Sequence, residues 1–379
     1  MLDLSADYEV RMYRPGDEAG IVDLLGLVFG GWPHIDLDCS PLEHWRWKYL
    51  ANPMGLLTVS VAISGGKVIG CFHNIPLKIK IGEDIFFCHV GADLAVHPDF
   101  RNVGVSKGLR DLCRETYPKK GIYYSYYSTG NPIMIESYRK SRPSFPHLVT
   151  NLVRIRDIDR QLREMPVKRH RLKKAGFLLA SILNRVETTM AGGAPRGDFT
   201  ITGSEMFDES VNAFWGEISN GYDFIVENRM DYLNWKYCKR GSGGGFVIRL
   251  AKQGDRVLGF SVLRINRFIR DYPVGYIVEL LAVRERPDVV ESLAADAVKY
   301  FDGEGVNLVN YQMIKDYPYG RSLSREGFLD SRVKIHLFYH YFMGVDKIKD
   351  IASSPPERVY FSWGNLDVLP VHMPGQGNE

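Results

Sequence analysis

The segment Val96-His97-Pro98-Asp99-Phe100-Arg101-Asn102-Val103-Gly104-Val105-Ser106 sets a glycine and a small hydroxyl residue between an apolar strand and a helix. Consecutive backbone N–H groups at a helix start converge on one point, and the helix dipole favours negative charge there. Gly104 lets the backbone come close, while Ser106 avoids a clash and adds a hydroxyl donor. The chemistry this permits is the grip of an anion. A second glycine cluster, Gly241-Ser242-Gly243-Gly244-Gly245, shares only the composition, because a strand and not a helix follows it at Phe246, so it reads as a flexible loop. Cys39, Cys71, Cys88, Cys113 and Cys238 are scattered without a C-x-x-C pair, which implies no metal and fits a reducing, cytoplasmic location.

The elements that must position this loop follow from local pattern. Tyr8 to Tyr13 reads as a strand, Arg14-Pro15-Gly16-Asp17 as a turn and cap, and Ala19 to Phe29 as an apolar-periodic helix. Leu56 to Ile63 and Lys67 to Pro76 form a hairpin about Gly65-Gly66, and Leu77 to Ile81 with Ile85 to Val96 form a second. A helix from Gly104 to Thr116, a strand from Ile122 to Ser128 and a helix from Pro132 to Lys140 follow.

The chain also repeats itself. Trp45-Arg46-Trp47-Lys48-Tyr49 recurs as Leu233-Asn234-Trp235-Lys236-Tyr237, and Lys67-Val68-Ile69-Gly70 as Arg256-Val257-Leu258-Gly259. Leu94-Ala95-Val96 recurs as Leu281-Ala282-Val283, in the same order and at nearly the same offset. The recurrence of the tryptophans favours structural packing over an aromatic binding cage.

The Val96–Ser106 segment resembles the V-x-P-x-x-R-x-x-G-x-G/A motif of the GCN5-related N-acetyltransferase (GNAT) superfamily. The resemblance implies an α/β (α+β) fold of two tandem GNAT-like domains, each a mixed, mostly antiparallel twisted sheet flanked by helices. It places the acyl-CoA motif in a catalytic domain over 1–155, a basic helical connector over 156–199, a degenerate GNAT-like domain over 200–345, and a C-terminal tail over 346–379. Arg101, Asn102, Val103, Gly104, Val105 and Ser106 would then take the pyrophosphate of coenzyme A. The amides of Leu94, Ala95 and Val96, freed where the strand splays in this family, would hold the thioester carbonyl. Asn131 and Tyr138 have the family's seven-residue spacing, which makes Tyr138 the acid that protonates the departing thiolate. Arg142 and Pro143 stand where the family usually has Gly-Phe. The tyrosines of Tyr123-Tyr124-Ser125-Tyr126-Tyr127 belong to the coenzyme channel or the core.

The second copy departs further. Arg284 to Glu291 has no glycine and puts acids where pyrophosphate would sit, and Leu323 stands where the tyrosine is expected, although Gly327-Phe328 is kept. Coenzyme A is not expected there, and this half is read as a structural and acceptor-binding partner. Attack by an amine needs a base, for which Asp93 is the first candidate and Glu43, His34, His89 and Glu279 the others.

The chain of 379 residues carries 48 Lys+Arg against 45 Asp+Glu, a net charge of +3, with 45% hydrophobic and 12% aromatic residues. That composition excludes low-complexity disorder and gives no general case for nucleic acid, so no DNA partner is expected. Met1 to Val10 has no apolar core of signal length, and no run approaches the roughly 18 apolar residues of a membrane span. Nine Lys and Arg against three acids crowd Arg154 to Lys174. This reads as a solvated bridge, with weak contact to an anionic membrane surface or an acidic partner as the alternative. The expected activity is acylation of a primary amine, on a small molecule, amino sugar or peptide, by direct attack on acetyl-CoA or another acyl-CoA. The rivals are an aminoacyl-tRNA-dependent transferase of two such domains and a non-catalytic acyl-CoA-binding protein.

Overall fold

A computed structural model describes residues 7–129, 132–164, 197–344 and 346–367. The first half begins with strand β1 (Glu9–Met12) and helix α1 (Glu18–Phe29). Helix α2 (Pro41–Tyr49), unforeseen in the pattern above, is fixed at its start by a capping box between Ser40 and Glu43 with proline in its first turn. Strands β2 (Thr58–Ser64), β3 (Lys67–Ile81) and β4 (Asp84–Val96) form two hairpins. The first turns through Gly65 and Gly66, both at positive φ, as a two-residue hairpin turn requires.

The expected break at Pro76 does not occur, and the reason is positional. β2 pairs with β3 only as far as Asn74, and the Pro76 carbonyl on that edge accepts from Asn52 Nδ2 at 3.1 Å. The missing N–H of proline thus costs no ladder bond. Beyond it, β3 pairs with β8 (Phe224–Val226) of the second half.

Helix α3 (Val105–Thr116), strand β5 (Ile122–Thr129), helix α4 (Pro132–Arg139), strand β6 (Val149–Ile155) and helix α5 (Ile158–Glu164) complete the first series. The second series runs β7 (Thr200–Ser204), α6 (Ser210–Ile218), β8, α7 (Met230–Cys238), β9 (Phe246–Gln253), β10 (Arg256–Asn266) and β11 (Val274–Ala282). It ends with α8 (Pro287–Gly303), β12 (Leu308–Ile314), α9 (Tyr319–Arg325) and β13 (Leu329–Tyr341).

The strands join in the order β1-β2-β3-β4-β5-β13-β6-β12-β11-β10-β9-β7. This order is a palindrome about its centre. Each series gives its last strand to the other: β13 pairs with β5 over His336 to Tyr341, and β6 pairs with β12 over its whole length. Among the strands of the described residues, only β4–β5 and β11–β12 pair in parallel. The halves therefore interlock through their sheet, and one hydrophobic core runs across both.

The basic segment is partly accounted for. Arg154 grips Asp302 of α8 with both guanidinium nitrogens, Arg156 donates to the Asp302 carbonyl, and Arg160 to that of Asp271. Residues 165–196 of the expected connector lie outside the described residues, as do 368–379 of the expected tail. Among the described residues no helix is long and apolar enough to cross a membrane, and no group of His, Cys, Asp and Glu is arranged to hold a metal ion.

Candidate functional site

β4 and β5 pair only from Phe87–Ile122 to Val90–Tyr126. Beyond that point β5 continues against β13, and the edge of β4 from Gly91 to Val96 is left open toward β5. Leu94, Ala95 and Val96 lie on this open stretch. At its far end Asn102 and Gly104 take left-handed conformations, with φ of 65° and 94°. Among the described residues, none of the amides from Asn102 to Ser106 donates to a protein acceptor. The first turn of α3 carries no acid and has no side-chain cap, so the helix start presents bare N–H groups. Arg101 is exposed beside them, Val105 is buried beneath, and Tyr8 fixes the loop by donating to the Val103 carbonyl at 3.1 Å. Asn131 lies outside the described residues.

Asp93 sits in a bulge of β4 at φ 41°, between the pairs His73–Ala92 and Cys71–Ala95. Trp45 Nε1 donates to His73 Nε2 at 3.0 Å, which leaves His73 Nδ1–H to donate to the Asp93 carbonyl at 2.9 Å. Burial lowers the His73 pKa to about 4, so this ring is a neutral peg under the bulge. The Asp93 carboxylate receives Trp32 Nε1 at 2.9 Å, Lys48 Nζ at 2.8 Å and a short hydrogen bond from Tyr49. Burial opposes its charge, but the Lys48 charge and the hydrogen bonds from Lys48 and Tyr49 outweigh it and hold the carboxyl well below the usual range. A carboxylate so engaged is a weak proton acceptor.

The chain end supplies a second carboxylate that the sequence reading missed. Lys48 Nζ stands 2.6 Å from Asp367 Oδ1, so one buried ammonium bridges Asp93 and Asp367. Burial pushes the Asp367 carboxyl up to about 6, against the pull of Lys48 and with the push of Asp93. Lys48 itself is held protonated: burial opposes its charge, but Asp367 and Asp93 raise its pKa.

These groups line one cavity of about 590 Å³, together with Tyr138, Arg142, Trp32, His34, Trp235 and Lys236. Asp93, Leu94 and Tyr138 are thus brought to one space, while the loop at Arg101–Ser106 lies outside its lining. Burial raises the Tyr138 phenol, which suits an acid that must stay protonated, and Arg142 opposes the rise. Of the other base candidates, His34 lines the cavity with Nε2 3.0 Å from the Phe29 carbonyl. Glu43 is spent on the capping box of α2. His89 is buried away from the cavity beside Thr58, its pKa lowered by burial to about 3.

The repeat acquires a structural meaning here. Trp47 and Trp235 stack at 5.1 Å and 20°, and each indole donates to the other's backbone carbonyl, at 2.8 and 3.1 Å. A pseudo-two-fold axis runs between them, so the tryptophans are the clasp between halves. Across it, Lys236–Tyr237–Glu279 mirrors Lys48–Tyr49–Asp93, with Tyr237 donating to Glu279 at 3.0 Å. Glu279 is sealed off from the cavity by two further hydroxyls, Ser362 at 2.6 Å and Tyr360 at 3.0 Å. Burial lowers the Lys236 pKa to about 8.

Val359 and Tyr360 run beside Phe224 of β8, Trp363–Asn365 lie against β11 and β12, where the second splay would be, and the Tyr360 and Tyr319 hydroxyls take the amides of Leu280 and Ala282. The glycine-rich loop, expected to be flexible, is docked: His44 Nδ1 donates to the Gly241 carbonyl at 2.8 Å, and Arg264 bonds Gly244 and the carbonyl of Asp36. Through Arg264 the second half thereby holds the loop between α1 and α2 at the cavity mouth.

Residues 9–141 match the model of an acetyltransferase (GNAT) domain. The chain carries a GNAT acetyltransferase domain. Among solved structures it resembles a probable N-acyltransferase from Enterococcus faecalis, at TM-score 0.58 and 12% identity, over 89% of this chain and 73% of that one. A GCN5-related N-acetyltransferase from Anabaena variabilis matches at TM-score 0.56 and 11% identity, over the same shares. Saccharomyces cerevisiae N-myristoyltransferase with bound myristoyl-CoA matches at TM-score 0.60 and 11% identity, over 97% of this chain and 87% of that one. Comparison with curated proteins gives no match. At such identities the structural likeness is one of fold, and it extends over both halves. With the domain match, the chain is a GNAT-type acyltransferase, of the class that moves an acyl group from an acyl-CoA to an amine.

Proposed function

We propose that this GNAT-type enzyme acylates the primary amine of a small molecule, amino sugar or peptide, with acetyl-CoA as the reference donor, by direct attack within a ternary complex. The observation that carries the reading is the meeting, in one cavity, of the open edge of β4, the Tyr138 phenol and the Lys48-bridged carboxylates. The free amides of Asn102 to Ser106 take the pyrophosphate, which favours a coenzyme A enzyme over a tRNA-dependent one. Amides at Leu94 to Val96 receive the oxyanion.

Asp93 is the first candidate base by sequence, but its low proton affinity suits it to a different part. We assign it to orienting Lys48, and give the amine's proton to Asp367, whose affinity lies near neutral. Tyr138 protonates the sulfur. Trp32, His34 and Trp47, on the loop and helix that the second half braces, face the acceptor.

The test is calorimetric titration with coenzyme A and acetyl-CoA, beside Gly104→Glu, followed by acceptor screening with Tyr138→Phe. One site per chain, abolished by a carboxylate in the anion loop, is the expected result. Absence of binding by the unaltered protein would overturn the acyl-CoA reading, and unchanged turnover in Y138F would remove the acid.

A further inference from the structure

Arg142 stands where the family usually has glycine, and its surroundings are unusual for a guanidinium. Its carbon lies 4.4 Å from the centre of the Tyr127 ring and 4.3 Å from that of Tyr138, so the charge is clamped between two tyrosines. Its backbone is fixed by a bond from its amide to the Tyr138 carbonyl at 2.8 Å, closing helix α4. The side-chain atoms Nε and Nη1 are buried and have no hydrogen-bond partner among the described residues. The carboxylates lining the same cavity, Asp93 and Asp367, are both taken by Lys48. A second guanidinium, Arg110 of α3, lines the cavity and acts on Tyr138. His340, also near Arg142, is neutral because burial lowers its pKa to about 4.

A guanidinium with two of its nitrogens buried and no resting anion beside it among the described residues is costly in the ground state, and two aromatic faces recover only part of that cost. Such an arrangement contributes most where negative charge appears during the reaction, because a standing carboxylate would cancel it beforehand. We propose that Arg142 is a positioning residue that acts through Tyr138, holding the phenol and stabilising the negative charge left on its oxygen when its proton passes to the thiolate of coenzyme A. The inference rests on the reading of Tyr138 as the acid. In the step concerned, the amine nitrogen bonds to the thioester carbon and the carbon–sulfur bond breaks with its electron pair passing to sulfur. The sulfur takes the phenolic proton, the nitrogen's surplus proton goes to Asp367, and solvent returns it to the phenolate.

The experiment compares the full chain with R142Q, R142K, Y138F and Y138F/R142Q. R142Q should lower kcat at least tenfold with KM for acyl-CoA unchanged within twofold, and R142K should recover part of the loss. The double variant should be no more than twofold slower than Y138F alone, since Arg142 works through the phenol. Arg142 and Arg110 lower the phenol's pKa while burial and Tyr127 raise it, so the alkaline limb of kcat should move upward in R142Q. Unchanged kcat in both Arg142 variants, a loss confined to KM for acyl-CoA, or additive losses in the double variant would each overturn the proposal. A silent Y138F would instead overturn the acid itself, so the two failures are told apart. Melting curves and coenzyme A affinity of each variant report folding, and R142K keeps the test open if R142Q does not fold.

Discussion

Asp367→Asn is the substitution that asks most of the site. A carboxyl at about 6 is ionised in roughly one molecule in eleven at pH 5 and about ten in eleven at pH 7, so kcat should climb about tenfold over that interval. Loss of a general base costs about 10² to 10⁴ in rate, so D367N should fall by at least 10² at pH 7.5 and lose the acid limb. The sign of the stability effect separates this from unfolding. A carboxyl with a raised native pKa binds its proton more tightly folded than unfolded, so its contribution to stability falls as pH rises from 3.8 to about 6, by at most about 3 kcal/mol. Asparagine removes that loss, and Lys48 keeps Asp93 as partner. D367N should therefore melt no lower than the unaltered protein at pH 7.5. The assay is release of free thiol from acetyl-CoA with a responsive amine across pH 4.5 to 9, beside melting curves. Retention of a third of kcat, with the limb near pH 6 intact, would refute the assignment.

Other consequences can be measured without an acceptor. Removing one indole of the clasp, Trp47→Ala or Trp235→Ala, should cost about 3 kcal/mol in urea unfolding, and the double variant should show coupling of about 1 kcal/mol. His89, with its pKa lowered from 6.5 to about 3, gives stability that is full above 6.5 and is lost as pH falls toward 3. The loss between pH 7 and pH 5 is about 2 kcal/mol, and His89→Gln should flatten that part of the melting profile. A Cβ at Gly91 would lie 2.4 Å from Tyr127 Cε1, so Gly91→Ala should cost about 1–3 kcal/mol and disturb the ring that clamps Arg142, read as a lower melting point and a lower kcat.

The parts of this molecule legible in its sequence are those set by neighbours along the chain. The hairpin at Gly65-Gly66, the Val96–Ser106 loop and the repeat of Trp47 in Trp235 needed only local pattern. The exchange of β6 and β13 did not show, because a strand's period reveals which face is buried but not which edge it joins. Pro76 misled as a break because its silent edge is set by where β2 ends. Lys48 carried a signal that went unused: a lysine recurring at Lys236 within a packed aromatic motif is a candidate for a buried ion pair. Asp367 carried less, yet Tyr360, Phe361 and Trp363 just before it are poor residues for a solvated tail, and their burial is what brings the aspartate in.

That burial explains how a half without a coenzyme loop can serve catalysis. The segment from Tyr360 to Asn365 packs its side chains and last turn against β11 and β12, and two residues on Asp367 meets Lys48. Its register is set by Glu279, which receives Ser362 and Tyr360 from the segment and Tyr237 from α7. Glu279→Ala strands the buried Tyr237 hydroxyl, at about 1–3 kcal/mol, and leaves Tyr360 and Ser362 only their bonds to Leu280 and Asn365, and so loosens the segment that delivers Asp367. Coenzyme A affinity, built in the first half, should hold within about threefold, while kcat falls at least tenfold. Equal losses of affinity and turnover would mean that the variant merely unfolds, and an unchanged kcat would show that Asp367 is placed by something other than this packing.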